Sequence, residues 1–265
     1  MSVLERDVVA LCDGVARCDV VPQAGGAVAG FWWEEGARRI DWLRPSRAAD
    51  VARADAEALA CFPLVPWAGR IRGGSFRFCG DEVAEGCDAL HGHGWRSAWH
   101  VAGRSATEVV LEYRHEGGAW PWPYLARETI ALSRGVLSLT LHLTNESDRL
   151  MPAGLGFASA FPCAAEAMVE AATTNAGDAV FSGWNGSATI RWPARGMELC
   201  LAADWPLLSF LAVSRSADLS LVPMSHCEDA FNLARAGVAD TGLRVLAPGA
   251  SRSATVKLTP RLCQH

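Results

Sequence analysis

Two histidines separated by a single glycine are the first candidates for chemistry in this chain. The stretch "DALHGHGW" places His91 and His93 in a glycine-rich segment that ends on Trp95. On an extended strand the two imidazoles would lie on the same face and could bind a metal together. A metal site needs a third ligand, and "HGHGWRSAWH" supplies no glutamate of the kind that a cupin-like site uses. We therefore expect no metal. Two interpretations stay open: histidines that support a bend, and a histidine that binds a substrate.

An arginine about twenty residues upstream favours the substrate interpretation. Arg70 lies in "PWAGRIRGG", with glycines close to it on both sides. Glycine allows another group to approach the backbone closely. The planar guanidinium of arginine suits recognition of two oxygens at once. Arg70 and His91 are therefore predicted to bind a ligand together.

Alternation of apolar and polar residues is the dominant pattern among the elements that would position these residues. In "VLSLTLHLTN", the leucines from Leu137 to Leu143 occupy every second position, as in a half-buried strand. The same pattern occurs in "TEVVLEYRHEGG", "MELCLAAD", "LSFLAVSRSADLSLVP" and "SATVKLTP". Long helices between the strands are missing from the pattern, so a parallel sheet is not expected. The sequence predicts an all-β fold, a large antiparallel sandwich, as a single domain over residues 1–265.

Two alanine-rich segments depart from this pattern. Residues 46–60, "SRAADVARADAEALA", are predicted to contain a short helix with Ser46 as a candidate N-cap. For residues 163–172, "CAAEAMVEAA", helix propensity also favours a helix.

Composition excludes several functional classes. The net charge of −5 over 265 residues argues against nucleic-acid and membrane partners. The nine cysteines include no C-x-x-C pair, so neither a disulfide framework nor a zinc ribbon is expected. The start has no signal-peptide pattern, and no apolar run approaches the ~20 residues that a membrane span needs. We expect a cytoplasmic protein. Lys257, the one lysine, lies on a polar strand face, which disfavours Schiff-base chemistry.

Longer motifs resemble the aldose 1-epimerase (galactose mutarotase-like) family. These are "CFPLVPWAGRIRGGSFRFCG", "DALHGHGWRSAWHV", "GAWPWPYLARETIAL", "LTNESDRLMPAGLGFASAFP", "DAVFSGWNGSATIRWP" and "VPMSHCEDAFNL". They follow the family's order over about residues 5–262. The resemblance implies a β-supersandwich fold and interconversion of the α and β anomers of a sugar without a cofactor. In that reaction a glutamate is the base and a histidine is the acid, while a second histidine, an arginine and an aspartate hold the sugar.

The resemblance transfers unevenly to this chain. Arg70, His91 and Asp178 match the arginine, one histidine and the aspartate that hold the sugar. The acid position is Ala158 and the base position is Val222, and neither side chain can transfer a proton. Gly69 replaces the asparagine that usually precedes the arginine. His91 is the candidate catalytic residue, since an imidazole can be an acid or a base.

Several alternatives remain open at this stage. His93, His226 and Glu228 are the residues that could replace the missing acid or base, although Glu228 would lie far from Val222 on an extended strand. A non-catalytic carbohydrate-binding or regulatory module is the second interpretation. A variant of the enzyme interpretation is a hexose 6-phosphate 1-epimerase-like enzyme, which would use further basic residues, with Arg72 and Arg77 nearest in sequence. A third interpretation, a metal-dependent cupin-like enzyme, is disfavoured by the missing ligands. The expected partner is a small-molecule sugar, and the sequence leaves the oligomeric state open.

Overall fold

Antiparallel strands make up most of the structure. The computed structural model describes residues 8–86, 89–162, 164–171, 175–176, 180–182, 184–203, 209–214 and 218–263. In chain order the strands are β1 (Val9–Asp13), β2 (Ala16–Val21), β3 (Ala27–Glu35), β4 (Arg38–Asp41), β5 (Cys61–Leu64), β6 (Ser75–Phe78), β7 (Asp81–Ala84), β8 (His100–Arg104), β9 (Glu108–His115), β10 (Tyr124–Ser133), β11 (Val136–Asn145), β12 (Met151–Ala153), β13 (Gly156–Pro162), β14 (Met168–Ala171), β15 (Asn175–Ala176), β16 (Val180–Ser182), β17 (Ser187–Trp192), β18 (Met197–Ala203), β19 (Ser209–Ser214), β20 (Asp218–Met224), β21 (Arg244–Leu246) and β22 (Ser251–Leu262).

The strands form two large sheets and two small ribbons. One sheet has the order β1-β2-β3-β5-β13-β20-β19-β16-β15, with β4 beside β3, and the other has the order β14-β17-β18-β22-β11-β10-β9-β8. The ribbons are β12-β21 and β6-β7. One hydrophobic core contains residues from both large sheets, including Phe157 and Leu221 from the first and Leu139 and Val256 from the second. The predicted antiparallel β-sandwich is confirmed.

The predicted strands occur where the alternation placed them. In β11 the four leucines are buried and the residues between them are half-buried or exposed. The segments 107–118, 197–204, 208–223 and 253–260 contain β9, β18, β19 with most of β20, and most of β22. Alternation predicts strands well because one face of a half-buried strand is apolar and the other is polar.

The short helix predicted within residues 46–60 is confirmed except for its cap, and the helix predicted at residues 163–172 is wrong. In the first segment the α-helix is only α1 (Ala48–Ala52), followed by a 3-10 turn over Ala56–Ala58, and the residue before the helix is Arg47 rather than Ser46. The second segment forms a 3-10 turn (Ala164–Glu166) and then β14, which pairs with β17. Strand pairing outweighs the weak helix preference of a short alanine-rich run. The other α-helix is α2 (Ala230–Arg235), and further 3-10 turns span Arg72–Gly74, Gly94–Arg96 and Pro193–Arg195.

Three neighbouring strands carry the surface on which the site is built. β13 pairs with β5 on one side and with β20 on the other. Their core-facing residues include Cys61, Ser159 and Leu221, which pair across the strands. The opposite face belongs to a separate apolar cluster described below. Among the described residues, no helix is long and apolar enough to cross a membrane.

Candidate functional site

An apolar patch covers the face of β5, β13 and β20 that points away from the main core. Phe62 pairs with Ala158, and the β13–β20 register places Val222 on the other side of Ala158. One step along the strands, Gly156 lies between Leu64 and Met224. Apolar side chains from these two rows pack together. The apolar patch is Phe62, Leu64, Ala158, Val222 and Met224.

Two segments, loop 65–71 and segment 89–96, border the apolar patch and hold Arg70 and His91 together. The amide of His91 donates to the carbonyl of Gly69 (2.9 Å), and Ile71 donates to Ala89 (3.0 Å). Arg70 and Leu90 face each other in an antiparallel bridge. The structure therefore brings the two residues of the predicted pair into neighbouring positions.

Loop 65–71 and segment 89–96 also contact the patch through their side chains. Ala68 packs against Val222 and Met224 within the apolar cluster. Trp95 stacks on Phe62 with ring centroids 5.5 Å apart, and the Arg96 guanidinium covers the Trp95 ring at 4.4 Å. The site therefore consists of a largely buried apolar cluster, of which Phe62 and Ala158 are half-buried, with polar groups along its edge. Apolar lining with a few polar groups is the usual composition of a small-molecule site.

His91 is held as a neutral hydrogen-bond donor. Its backbone has a φ of +62°, in the left-handed region. Its Nδ1 accepts the amide N–H of Gly69 at 2.9 Å, so Nδ1 carries no proton and the neutral ring has its proton on Nε2. Burial, together with the nearby charges of Arg96 and Arg70, lowers the pKa of His91 to about 4. At neutral pH the ring therefore offers an Nε2–H, and its other nitrogen is already engaged.

Arginines supply the positive charge of the site. The Arg70 side chain is exposed, and in the described part of the chain it has no hydrogen bond or ion pair to a carboxylate. Arg96 was missed as a site residue because the sequence pattern gave it no role. Its position five residues after His91, across the 3-10 turn Gly94–Arg96, returns it toward the ring.

Arg72 pairs with Asp229 (3.7 Å) and Arg77 with Glu82 (2.8 Å). Asp178, the third predicted sugar-binding residue, lies outside the described residues.

His93 points away from His91 and belongs to a different polar cluster. Its backbone amide donates to Val65 (2.8 Å), while its ring bonds to the Tyr124 hydroxyl (3.1 Å) and to Glu85 (3.2 Å). The ring also stacks on His115, with centroids 4.6 Å apart. The same-face arrangement that an extended H-x-H would give is wrong here, because the backbone turns at His91. His93 supports the bend, as one of the two sequence interpretations expected.

No metal site is formed by the residues that the structure describes. Groups of three or more histidine, cysteine, aspartate or glutamate side chains in metal-binding proximity do not occur among them.

His226 is locked beneath loop 65–71. Its Nε2 accepts the Ala68 amide (3.1 Å), and Nδ1–H donates to the Cys227 carbonyl (2.8 Å). Burial lowers its pKa to about 4. The ring packs so closely on Gly154 that a Cβ there would lie 2.0 Å from Cδ2. Both nitrogens are used, so in this arrangement His226 has no free site for proton transfer and serves to hold the loop.

Comparison with protein-family models assigns the chain to a family. The family model described as aldose 1-epimerase matches residues 7–179, which is more than half of the chain. The chain belongs to this family. The protein YphB of Escherichia coli (strain K12) is 28% identical over 295 residues, covering 94% of this chain and 97% of YphB.

Solved structures support the aldose 1-epimerase fold. A structure from Escherichia coli K12 has a TM-score of 0.84 at 24% identity and covers 96% of this chain and 99% of that chain. A galactose mutarotase-like protein from Clostridium acetobutylicum has a TM-score of 0.83 at 15% identity, with coverage of 99% and 97%. At these low identities the TM-scores establish the fold alone. It agrees with the galactose mutarotase-like fold expected from the motifs.

The two positions that the resemblance aligns with the family's acid and base lie within the apolar patch. Ala158 is half-buried and Val222 is buried. The chain therefore has apolar side chains where the resemblance expects the proton-transfer pair. A carboxylate lies close to the site from another segment of the chain. The 225–229 turn after β20 brings Glu228 next to Gly69. A Cβ added to Gly69 would lie 3.1 Å from Glu228 Cγ. The extended-strand distance considered for Glu228 does not apply, because the chain turns.

Proposed function

We propose that this aldose 1-epimerase family protein binds the pyranose ring of a hexose or related sugar over the apolar patch. The observation that carries the proposal is the Nε2–H of neutral His91 held next to the exposed Arg70 guanidinium at the edge of that patch. An imidazole N–H and a guanidinium donate to sugar oxygens, while an apolar surface suits the C–H face of the ring.

The proton chemistry of the site separates two functional candidates. Mutarotation needs a base for the anomeric hydroxyl and a donor at the ring oxygen. His91 can polarise the ring oxygen, but as a neutral ring it is a weak proton donor, and its Nδ1 is engaged. A non-catalytic carbohydrate-binding module is favoured by Ala158 and Val222. An aldose 1-epimerase-like isomerase is favoured by the family and needs a base from elsewhere in the site.

The same site bears on the phosphorylated-sugar alternative. Arg72 and Arg77, the residues that this alternative would use, pair with carboxylates, whereas Arg96 lies close enough to His91 to lower its pKa. A hexose 6-phosphate would therefore be expected to use Arg96 and Arg70. We further propose a single domain that works in the cytoplasm without a cofactor, and whose partner is the sugar rather than nucleic acid or membrane.

Binding and turnover are tested on the same preparations. Titration calorimetry with D-glucose, D-galactose and glucose 6-phosphate measures affinity, and polarimetry of freshly dissolved α-anomers measures turnover. Arg70→Ala and His91→Ala are expected to weaken sugar binding about tenfold or more, from the loss of a hydrogen-bond donor. Arg77→Ala, whose guanidinium pairs with Glu82, is the matched control and should bind as the wild type does.

Two results would contradict the proposal. One is the absence of binding to every one of these sugars. The other is equal loss of affinity in Arg70→Ala and in the Arg77→Ala control. Binding without faster anomer exchange would assign the module, and binding with faster exchange would assign the isomerase.

A further inference from the structure

Glu228 lies where a ligand at the Arg70–His91 site could meet a carboxylate. We propose that Glu228 is the general base of this site and replaces the glutamate that the resemblance expects at Val222. The inference rests on the proposed function, because a base acts only on a sugar that binds here.

The position of Glu228 is fixed by hydrogen bonds on both sides of it. Before it, the amide of Cys227 donates to Thr241 (2.9 Å). After it, the amide of Asp229 donates to the carbonyl of Arg70 (2.9 Å). The 225–229 turn is thus joined directly to the loop that carries Arg70, and Glu228 is anchored beside that loop.

Glu228 occupies space that a side chain at position 69 would fill. A Cβ added to Gly69 would lie 3.1 Å from Glu228 Cγ and 3.4 Å from Met224 Sδ, and Met224 belongs to the apolar patch. The resemblance gives an asparagine at position 69, and that side chain would compete with Glu228 for this space. The glycine therefore admits a carboxylate to the edge of the patch in the same chain that has valine at the usual base position.

The Glu228 carboxylate is available to a ligand. Within the described residues it accepts no hydrogen bond and forms no ion pair, and the residue is half-buried. The neighbouring Asp229 is engaged: its carboxylate accepts from the Arg72 amide (2.9 Å) and from Asn232 (2.8 Å). Glu85 is bonded to His93 on the other side of segment 89–96.

Glu228 and His91 approach Gly69 from two directions, which gives a pair suited to ring opening. His91 Nδ1 accepts the amide of Gly69, and Glu228 packs on its α-carbon side. In the proposed step, the Glu228 carboxylate removes the proton from the anomeric O1–H, C1=O forms, and the C1–O5 bond breaks with its electron pair going to O5. The Nε2–H of His91 stabilises the charge at O5, and a solvent proton neutralises it. His91 keeps its own proton throughout.

Ring closure reverses the proton transfers after the aldehyde has turned. The C5 hydroxyl returns its proton to solvent as O5 attacks the other face of C1. Glu228 then gives the proton that it took from O1 to the carbonyl oxygen. Every proton and electron pair is restored, and the product is the other anomer.

The experiment compares Glu228→Gln with Glu108→Gln, an exposed glutamate on β9 in the other sheet. Polarimetry of α-D-glucose and α-D-galactose gives kcat and KM, and calorimetry gives Kd. Removal of a general base is expected to lower kcat by about 10²–10⁴-fold. The Kd should stay within about threefold of the wild-type value, because glutamine keeps the size and hydrogen-bonding capacity of the side chain. Glu228→Asp should recover part of the rate, and Glu108→Gln should match the wild type.

The pH profile separates a base from a merely structural residue. A carboxylate base must be ionised to accept a proton, so the wild-type rate should fall at low pH, and the remaining rate of Glu228→Gln should lack this decline. The inference is overturned if the wild type binds sugar without accelerating exchange, or if Glu228→Gln keeps the wild-type rate and pH profile. Those results leave the proposed sugar binding intact, whereas a calorimetric failure to bind any sugar would defeat the proposed function itself.

Discussion

Gly154→Ala should destabilise the protein by displacing His226. The added Cβ would lie 2.0 Å from Cδ2 and 2.1 Å from Nε2 of a ring that is 1% exposed. The imidazole cannot move away without breaking its bonds to Ala68 and Cys227. Gly154 has no positive φ, so the substitution adds no backbone strain of its own. Steric conflict with the ring is the cause to be tested.

The expected cost follows from these contacts. Overpacking of a filled interior costs about 1–3 kcal/mol. Leaving the buried Ala68 amide without its acceptor costs about 1–3 kcal/mol. The free energy of unfolding should therefore fall by about 2–6 kcal/mol in total. Sugar affinity should fall as well, because Ala68 precedes the residues that hold His91 and carry Arg70.

Chemical denaturation of Gly154→Ala and Gly103→Ala measures the effect. Gly103 is the matched control: it also has no positive φ, and a Cβ there meets nothing within 4 Å. Its stability should change by less than about 0.5 kcal/mol. Equal stability of the two variants would refute the assigned role of Gly154. Combining Gly154→Ala with His226→Ala should cost less than the sum of the single changes, since the clash disappears with the ring.

Two further predictions concern buried ionisable groups and their pH dependence. His226 has its pKa lowered to about 4, so between pH 6.5 and 4 the unfolded chain binds a proton that the folded chain does not. His226 by itself should contribute a loss of about 3 kcal/mol over this range, and denaturation should show the gap between wild type and His226→Gln narrowing as pH falls. Burial raises the pKa of Glu128 well above its usual value, and one of its carboxylate oxygens has no protein partner. The folded state therefore keeps a proton that the unfolded state releases above about pH 4.5, and the contribution of Glu128 to stability should decline as pH rises. Glu128→Gln should show a smaller decline between pH 5 and 9, and an unchanged slope would contradict the assignment.

Sequence patterns predicted the sandwich because alternation reports directly which face of a strand is buried. β11 shows this most clearly, with Leu137 to Leu143 all in the core. Helix propensity wrongly favoured a helix at residues 163–172, because pairing of β14 with β17 is a tertiary effect that alanine content does not reveal.

The candidate site was only partly predictable. Motif order indicated Arg70 and His91, and the backbone bonds between Gly69 and His91 bring them together. The direction of His93 depended on the left-handed backbone at His91, which residue type did not indicate. The approach of Glu228 depended on a turn after β20 and on the small size of Gly69, and both are visible only in three dimensions.

Nitrogen-15 NMR of the histidine rings tests the central claim most directly. The site requires His91 to be neutral at pH 6, with its proton on Nε2, and to meet the sugar through that proton. We predict that D-galactose or D-glucose shifts the His91 ring signals in a saturable manner, while those of His226, buried beneath the loop, stay in place. A His91 that titrates near pH 6.5, or whose ring signals ignore sugars that calorimetry shows to bind, would contradict the account.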